Sequence, residues 1–313
     1  MKIIFFGLGS IGQRHARLLL KHFDHKVYAF RSGAAPKQNA LNIPELYSWE
    51  DVASLSPDVA FIANPTDLHL RTAIACAKLG MNLFIEKPID RTCEGLDELM
   101  GIVEQKGLST YVAYCLRFHP VIKELNEFLA DKSSPHVRAV VSSHLPDWRP
   151  GLDYRANYSA DEKRGGGVVL ELSHEVDYCT HFLGKPITIG GQFGKSSALE
   201  VKCEDFADLV MKCEKGICNL HMNFFSRKPE RYVHIDLPNS DFITGDLIKN
   251  TVTKNVGRRE TVNEFKFERD DMFVEQLKHF FNNIGRPRMM NDLIEAGTMF
   301  RKLVEFKEKH GKQ

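Results

Sequence analysis

The chain has 313 residues, 43% hydrophobic and 27% charged, with 42 Lys and Arg against 41 Asp and Glu and a net charge of +1. That length exceeds one comfortable core and predicts two domains, while the balanced charge excludes the broad basic footprint of a nucleic-acid or anionic-membrane binder. The 7 cysteines include no C-x-x-C pair, so no zinc site, other metal site or disulfide framework is expected, and a reducing cytoplasm is the simple reading.

The first residues form a short apolar run leading into a glycine loop, which reads as a first strand and not as a signal peptide. No apolar stretch approaches the ~20 residues of a membrane span. Apolar runs at 2–6, 26–30, 59–63, 82–85 and 110–114 alternate with helical patterns such as Leu70, Ile74 and Ala77, then Leu96, Leu99, Met100 and Val103. This is the rhythm of βαβ units and a doubly wound parallel sheet. After Arg117 it changes. Ile122, Leu125 and Leu129 mark a helix, and a second helical pattern follows Gly165-Gly166-Gly167. Then period two takes over: Cys218, Leu220, Met222 and Phe224 alternate with Asn219, His221 and Asn223, and Val233, Ile235 and Leu237 alternate with His234 and Asp236. These strands predict an antiparallel sheet with one wet face, two of them joined by a turn at Glu214-Lys215-Gly216. Phe273, Leu277, Phe280 and Phe281, then Leu293, Ala296, Phe300 and Leu303, predict two closing helices. The expected fold is α/β: a Rossmann domain over 1–119, then an α/β domain on an open, mostly antiparallel sheet over 120–313, used for substrate binding and oligomerisation.

Gly7-Leu8-Gly9-Ser10-Ile11-Gly12 follows the first strand and opens a helix carrying Leu18 and Leu19. In that setting a G-x-G-x-x-G brings amide groups and a helix N-terminus to a pyrophosphate, which assigns Gly7, Gly9, Ser10, Ile11 and Gly12 to a dinucleotide. Beside the adenosine ribose, at the end of the second strand, an NAD site offers a carboxylate. Here the chain reads Phe30-Arg31-Ser32-Gly33, so a guanidinium and a hydroxyl would meet a 2′-phosphate, which favours NADP over NAD. Asp24 lies too early to replace the carboxylate. Asn64-Pro65-Thr66 ends the third strand, where ligands gather in such sheets, and His69 opens the next helix. Glu86-Lys87-Pro88 ends the fourth strand. Pro88 biases Lys87 to extended backbone and stops the strand, and a lysine held there can donate to a carbonyl oxygen and exchange its proton as hydride moves. Asn64, Pro65, Thr66, His69 and Glu86 are expected around the cofactor, and Lys87 at the reacting centre.

With Tyr114-Cys115-Leu116-Arg117-Phe118-His119-Pro120, and with Gly165-Gly166-Gly167 followed by Glu171 and His174-Glu175-Val176-Asp177, these motifs in this order resemble the glucose-fructose oxidoreductase, inositol dehydrogenase and MocA (Gfo/Idh/MocA) family over most of the chain. Arg14-His15 and Asp153-Tyr154-Arg155 liken it to members associated with bacterial surface sugars. The resemblance implies that Lys87 is catalytic and that an acid and a histidine on a second-domain helix face it, here Glu171 and His174. The family pattern has aspartate four residues before the histidine; this chain has glutamate three before, and either spacing shares a helix face. Histidine titrates near ~6.5 as a residue type, which suits His174 as acid/base. Glu171 is then an orienting group or a helix-end carboxylate, and Asp177 braces the site or reaches substrate. Arg117 reads equally as a cofactor or anion contact and as a domain-junction ion pair. Tyr154 and Arg155, with Trp148, Arg149 and Asp153, form a polar-aromatic loop suited to sugar hydroxyls or phosphate.

The expected protein is a cytoplasmic NADP(H)-dependent oxidoreductase acting on a secondary alcohol or ketone of a sugar, sugar acid or nucleotide sugar, as a homodimer or homotetramer. The rivals are a same-fold reductase of an imine, diene or tetrapyrrole, and a silent NADP-binding sensor or partner protein, which would dispense with Lys87 and His174. Fold alone does not decide among them.

Overall fold

The computed structural model describes residues 1–31, 33 and 39–311. The chain divides into two compact units, Met1–Tyr114 with Phe273–Gly297, and Cys115–Met272 with Thr298–Gln313.

In the first unit, β1 (Lys2–Phe6), β2 (Lys26–Phe30), β3 (Glu45–Leu46), β4 (Val59–Ile62), β5 (Asn82–Ile85) and β6 (Thr110–Val112) form a sheet in the order β3-β2-β1-β4-β5-β6, every pairing parallel. The helices between them are α1 (Ser10–His22), α2 (Trp49–Leu55), α3 (His69–Lys78) and α4 (Leu96–Lys106). Strands buried on both faces read as unbroken apolar runs, and Phe5, Phe61 and Phe84 stack across β1, β4 and β5 with ring centroids 4.6 and 4.4 Å apart. The chain order reverses between β1 and β4, the position at which a doubly wound sheet opens a crevice at its carboxyl edge.

The second unit opens with α5 (Pro120–Leu129). Its sheet contains β7 (His136–His144), β8 (Pro186–Gly194), β9 (Phe206–Cys213), β10 (Ile217–Asn223), β11 (Phe225–Asp236), β12 (Phe242–Asp246), β13 (Thr251–Val256) and β14 (Arg259–Glu264), in the order β14-β13-β12-β11-β7-β10-β9-β8. Only β7 and β10 pair in parallel. Helices α6 (Val168–Glu171) and α7 (His174–Leu183) lie between β7 and β8 in the chain, which closes with α8 (Arg269–Asn283) and α9 (Leu293–His310). The fold is thus α/β, a Rossmann sheet followed by a mostly antiparallel one. On β9, buried Ala207, Leu209, Met211 and Cys213 alternate with outward Asp208, Val210 and Lys212. Helix α5 covers β12, and α7 covers β7 and β10. Asn223 departs from its alternation: it is buried, its amide donates to Ser142 Oγ at 2.9 Å, and its Oδ1 accepts from the backbone of Phe225 and Ser226, closing the bend into β11.

The division differs from the expected 1–119 and 120–313. It falls after Tyr114, and Phe273–Gly297 returns to the first unit. Packing explains the return. Phe280 sets its ring edge against Phe84 and Phe61, at 5.5 and 6.3 Å. The edge strand β6 is capped by this segment, since Val112 N–H donates to Asn291 C=O at 2.8 Å and Leu293 N–H donates to Thr110 Oγ1 at 2.9 Å. Among the described residues no helix is long and apolar enough to cross a membrane.

Candidate active site

The glycine loop leaves β1 at the switch point. Gly7 has φ +102°, and a side chain on it would collide with the Ala63 carbonyl; one on Gly12 would strike the carbonyl of Gly7. These two glycines let loop, helix and β4 close up. Gly9 is different: at the N-cap of α1, nothing stands within 4 Å of where its Cβ would be. The cap makes no side-chain hydrogen bond and the first turn carries no acid, so the amides around Gly9, Ser10 and Ile11 face an open cradle. This fits a dinucleotide pyrophosphate.

Arg31 ends β2 with its side chain 39% exposed, and its Nη1 lies 3.4 Å from Glu45 Oε1. A carboxylate therefore does stand beside this edge, supplied by β3. The Tyr47 hydroxyl donates to it at 2.6 Å and holds it below the usual carboxylate range, helped by the Asn39 amide and the charge of Arg31. Nothing local in the sequence flags Glu45, because it reaches Arg31 through a strand of only two residues. Ser32 lies outside the described residues.

At the ends of β4 and β5, Thr66 is buried, Pro65 is exposed, and Asn64 donates its amide to Thr72 Oγ1 at 2.8 Å. His69 is 2% exposed; its Nδ1 meets the Pro88 carbonyl and its Nε2 the Asn64 carbonyl, both at 2.9 Å. Glu86 is buried too, with Oε1 2.6 Å from Nε2 of His15 on α1 and Oε2 accepting the backbone N–H of Lys87 at 3.2 Å. His15, to which the sequence assigned no role, thus ties the glycine-loop helix to the Glu86-Lys87-Pro88 turn. Besides the Arg14-His15 resemblance, the sequence marks it by its place on the apolar face of α1, beside Ala16, Leu18 and Leu19. Lys87 is half-buried and the Lys87–Pro88 peptide is cis.

In the second unit Glu171 and His174 occupy successive short helices, not one. The ladder tightens to three-residue steps between α6 and α7: Ser173 N–H bonds to Leu170 C=O and Glu175 N–H to Leu172 C=O. Buried Glu171 accepts from Ser159 Oγ at 3.2 Å, and His174 is half-buried at the start of α7. The Gly165-Gly166-Gly167 run before them is anchored by Glu204. Gly167, with φ +105°, lies against the Glu204 carboxylate, which also accepts from Val169 N–H at 3.3 Å and from Lys307 Nζ at 2.8 Å. Burial pushes the Glu204 pKa up, and the ammonium of Lys307 opposes that shift.

Arg117 and Asp177 are brought together. Both are buried, and the guanidinium grips the carboxylate with Nε at 3.0 Å and Nη2 at 2.7 Å, while Nη1 lies 3.2 Å from His181 Nδ1. A second buried pair joins Glu175 to Arg231 at 2.7 and 3.0 Å. Beside it, His119 is held neutral, its pKa lowered to about 4 by burial and by the charge of Arg231. The loop residues are more open. The Tyr154 hydroxyl accepts from Glu200 N–H at 3.1 Å, and exposed Arg155 pairs with Asp153 at 2.8 Å and more loosely with Glu200 at 3.4 Å.

Residues 1–114 match the oxidoreductase family with an NAD-binding Rossmann fold, the Gfo/Idh/MocA N-terminal family, and residues 122–238 match its GFO/IDH/MocA C-terminal domain. The chain belongs to the Gfo/Idh/MocA family. Among curated relatives, it is 24% identical over 196 residues to the myo-inositol 2-dehydrogenase of Thermotoga maritima, covering 60% of this chain and 56% of that protein. It is 27% identical over 189 residues to D-xylose 1-dehydrogenase (NADP(+)) 2 of Haloferax volcanii, covering 58% and 56%. The chain thus spans little more than half the length of these relatives. The solved UDP-N-acetylglucosamine 3-dehydrogenase of Acidithiobacillus ferrooxidans superposes with a TM-score of 0.81 at 20% identity, over 100% of this chain and 98% of that one, and so shares the fold.

Proposed function

We propose that this family member is an oxidoreductase that moves hydride to or from a secondary alcohol or ketone of a sugar, sugar acid or nucleotide sugar, with NADP(H) as preferred partner. The observation that carries this reading is the pinned Glu86-Lys87-Pro88 turn at the carboxyl edge of the sheet whose glycine loop leaves an open cradle at Gly9. Relatives named for inositol and xylose dehydrogenation support the substrate class. A bound nicotinamide supplies or accepts the hydride. Lys87 Nζ donates to the reacting oxygen and carries its proton, with His174 as a second acid/base and Glu171 orienting it. Gly7, Gly9, Ser10, Ile11, Gly12, Asn64, Pro65, Thr66 and Glu86 serve the cofactor; Tyr154 and Arg155 serve the substrate side, and the buried pair of Arg117 with Asp177, expected to meet cofactor and substrate, braces the second unit instead. The test is a screen of myo-inositol, D-xylose and UDP-N-acetylglucosamine with NADP+ and NAD+, followed by nicotinamide fluorescence. Tight nicotinamide binding with no turnover on any such alcohol would favour a sensor.

Cofactor choice rests on Arg31. Its guanidinium attracts a 2′-phosphate, and Glu45 beside it weakens that attraction. NADPH should bind more tightly than NADH, Arg31→Asp should flatten or reverse the preference, and Glu45→Gln should sharpen it. Equal affinities in the parent protein would refute the assignment.

The open face of the eight-stranded sheet is proposed as the contact with a second copy. It carries Val210, 50% exposed, the opposite charges of Arg138 and Asp208, and the polar ring of His221 around a depression of about 310 Å³. Such a surface is able to pair with itself about a two-fold axis. Light scattering at micromolar concentration should show a dimer or tetramer, and Val210→Lys should shift it toward monomer. A monomeric parent would remove the proposal.

A further inference from the structure

We infer that His69 is a positioning residue for Lys87, acting through the Pro88 carbonyl, and not a cofactor ligand; this rests on the catalytic reading of Lys87 given above. The ring is 2% exposed and both of its nitrogens are engaged, each 2.9 Å from a backbone carbonyl, so neither is left to meet a ligand. The two carbonyls belong to different loops. Asn64 follows β4 and Pro88 follows β5, so one imidazole ties the two loop starts together. Carbonyl oxygens only accept. A neutral ring, with one N–H, can serve one of them, and the doubly protonated ring serves both.

The bond to Pro88 matters for its place in the chain. Pro88 is buried and its carbonyl requires a donor, which His69 supplies when Nδ1 carries the ring proton. Asp90 reinforces the clamp: its Oδ2 accepts from Leu70 N–H at 3.0 Å and its Oδ1 from Arg91 N–H at 2.7 Å, so the residue after His69 is pinned two positions beyond Pro88. Burial raises the Asp90 pKa, opposed in part by these backbone bonds and by the charge of His69. On the other flank, Glu86 accepts from Lys87 N–H while bound to His15. The backbone of Lys87 is therefore fixed from both sides, by His15 through a side chain and by His69 through a carbonyl. An ammonium aimed at a reacting oxygen needs its base held in this way, since a displacement of ~1 Å can cost ~100-fold in rate.

Two near-isosteric variants separate the two bonds. His69→Asn keeps a donor near the Nδ1 position, toward Pro88; His69→Gln keeps one near Nε2, toward Asn64. With whichever of myo-inositol, D-xylose or UDP-N-acetylglucosamine the parent oxidises, His69→Gln should lower kcat by ~10- to 100-fold, with KM and NADPH dissociation changed less than ~2-fold. His69→Asn should keep kcat within ~3-fold. Amide hydrogen exchange, which needs no substrate, should quicken at residues 86–91 in His69→Gln and stay near parental in His69→Asn. Loss of NADPH affinity in step with turnover would make His69 a cofactor ligand and overturn the inference. So would equal losses in both variants with exchange rising throughout the first unit, or unchanged exchange at 86–91 in His69→Gln. Failure of the enzyme reading is told apart by Lys87→Met: parental turnover in that variant rejects the role of Lys87, while the exchange contrast still decides whether His69 holds its turn.

Discussion

Lys87→Met should lower turnover by ~100-fold or more, the scale expected when an acid/base group is removed. Methionine keeps the length and apolar stem of lysine but has neither charge nor proton. The loss should fall on kcat, because charge on the reacting oxygen changes as hydride moves and an ammonium aimed there acts on the transition state more than on the bound ground state. NADPH affinity should change little, since the proposed cofactor contacts are the glycine cradle and Arg31. The measurement pairs steady-state turnover with NADPH fluorescence titration on parent and variant. Near-parental turnover would take Lys87 out of the mechanism, and a collapse of affinity alone would move it to cofactor binding.

Arg117→Met should destabilise the protein by about 3–5 kcal/mol, the usual cost of removing one partner from a buried pair. Asp177 would be left buried with its bidentate partner gone. Because the penalty comes from the orphaned charge, the double variant Arg117→Met, Asp177→Leu should recover most of it. Urea midpoints of parent, single and double variants measure this. The same proteins address the role of Arg117. A residue that chiefly contacts cofactor would leave the urea midpoint of the ligand-free protein unmoved and weaken NADPH binding, and the Asp177 change would not rescue that.

Features encoded within a few neighbouring residues were legible before the structure. Five strands of the first sheet, the glycine loop, the period-two strands around Leu220 and Ile235 and the turn at Glu214 each follow from local pattern. What escaped depends on partners distant in the chain. Glu45 meets Arg31 only because β3 pairs with β2. His15 reads as a polar interruption of an apolar helix face until Glu86, 71 residues away, is set against it. Asn223 obeys the alternation in sequence and breaks it in space, because its amide caps a bend. The step between Glu171 and His174 looked like continuous helix because neither Gly nor Pro marks the change to tighter turns. The pairing of Arg117 with Asp177 shows a further limit: an isolated arginine after a strand suggests a ligand contact or an ion pair with equal force, and only the buried geometry displays the partner.

The return of Phe273–Gly297 to the first sheet bears on how the chain is made. Thr110 and its partner Leu293 stand 183 residues apart. At translation rates of ~5–20 residues per second, roughly 9–37 s pass between the appearance of β6 and that of the segment that caps it. Over that interval the Phe61 and Phe84 rings lack Phe280 and the outer edge of β6 lacks Asn291, leaving an apolar surface and an unpaired strand of the kind that chaperones hold. The third of the chain synthesised first is thus among the last parts to be finished.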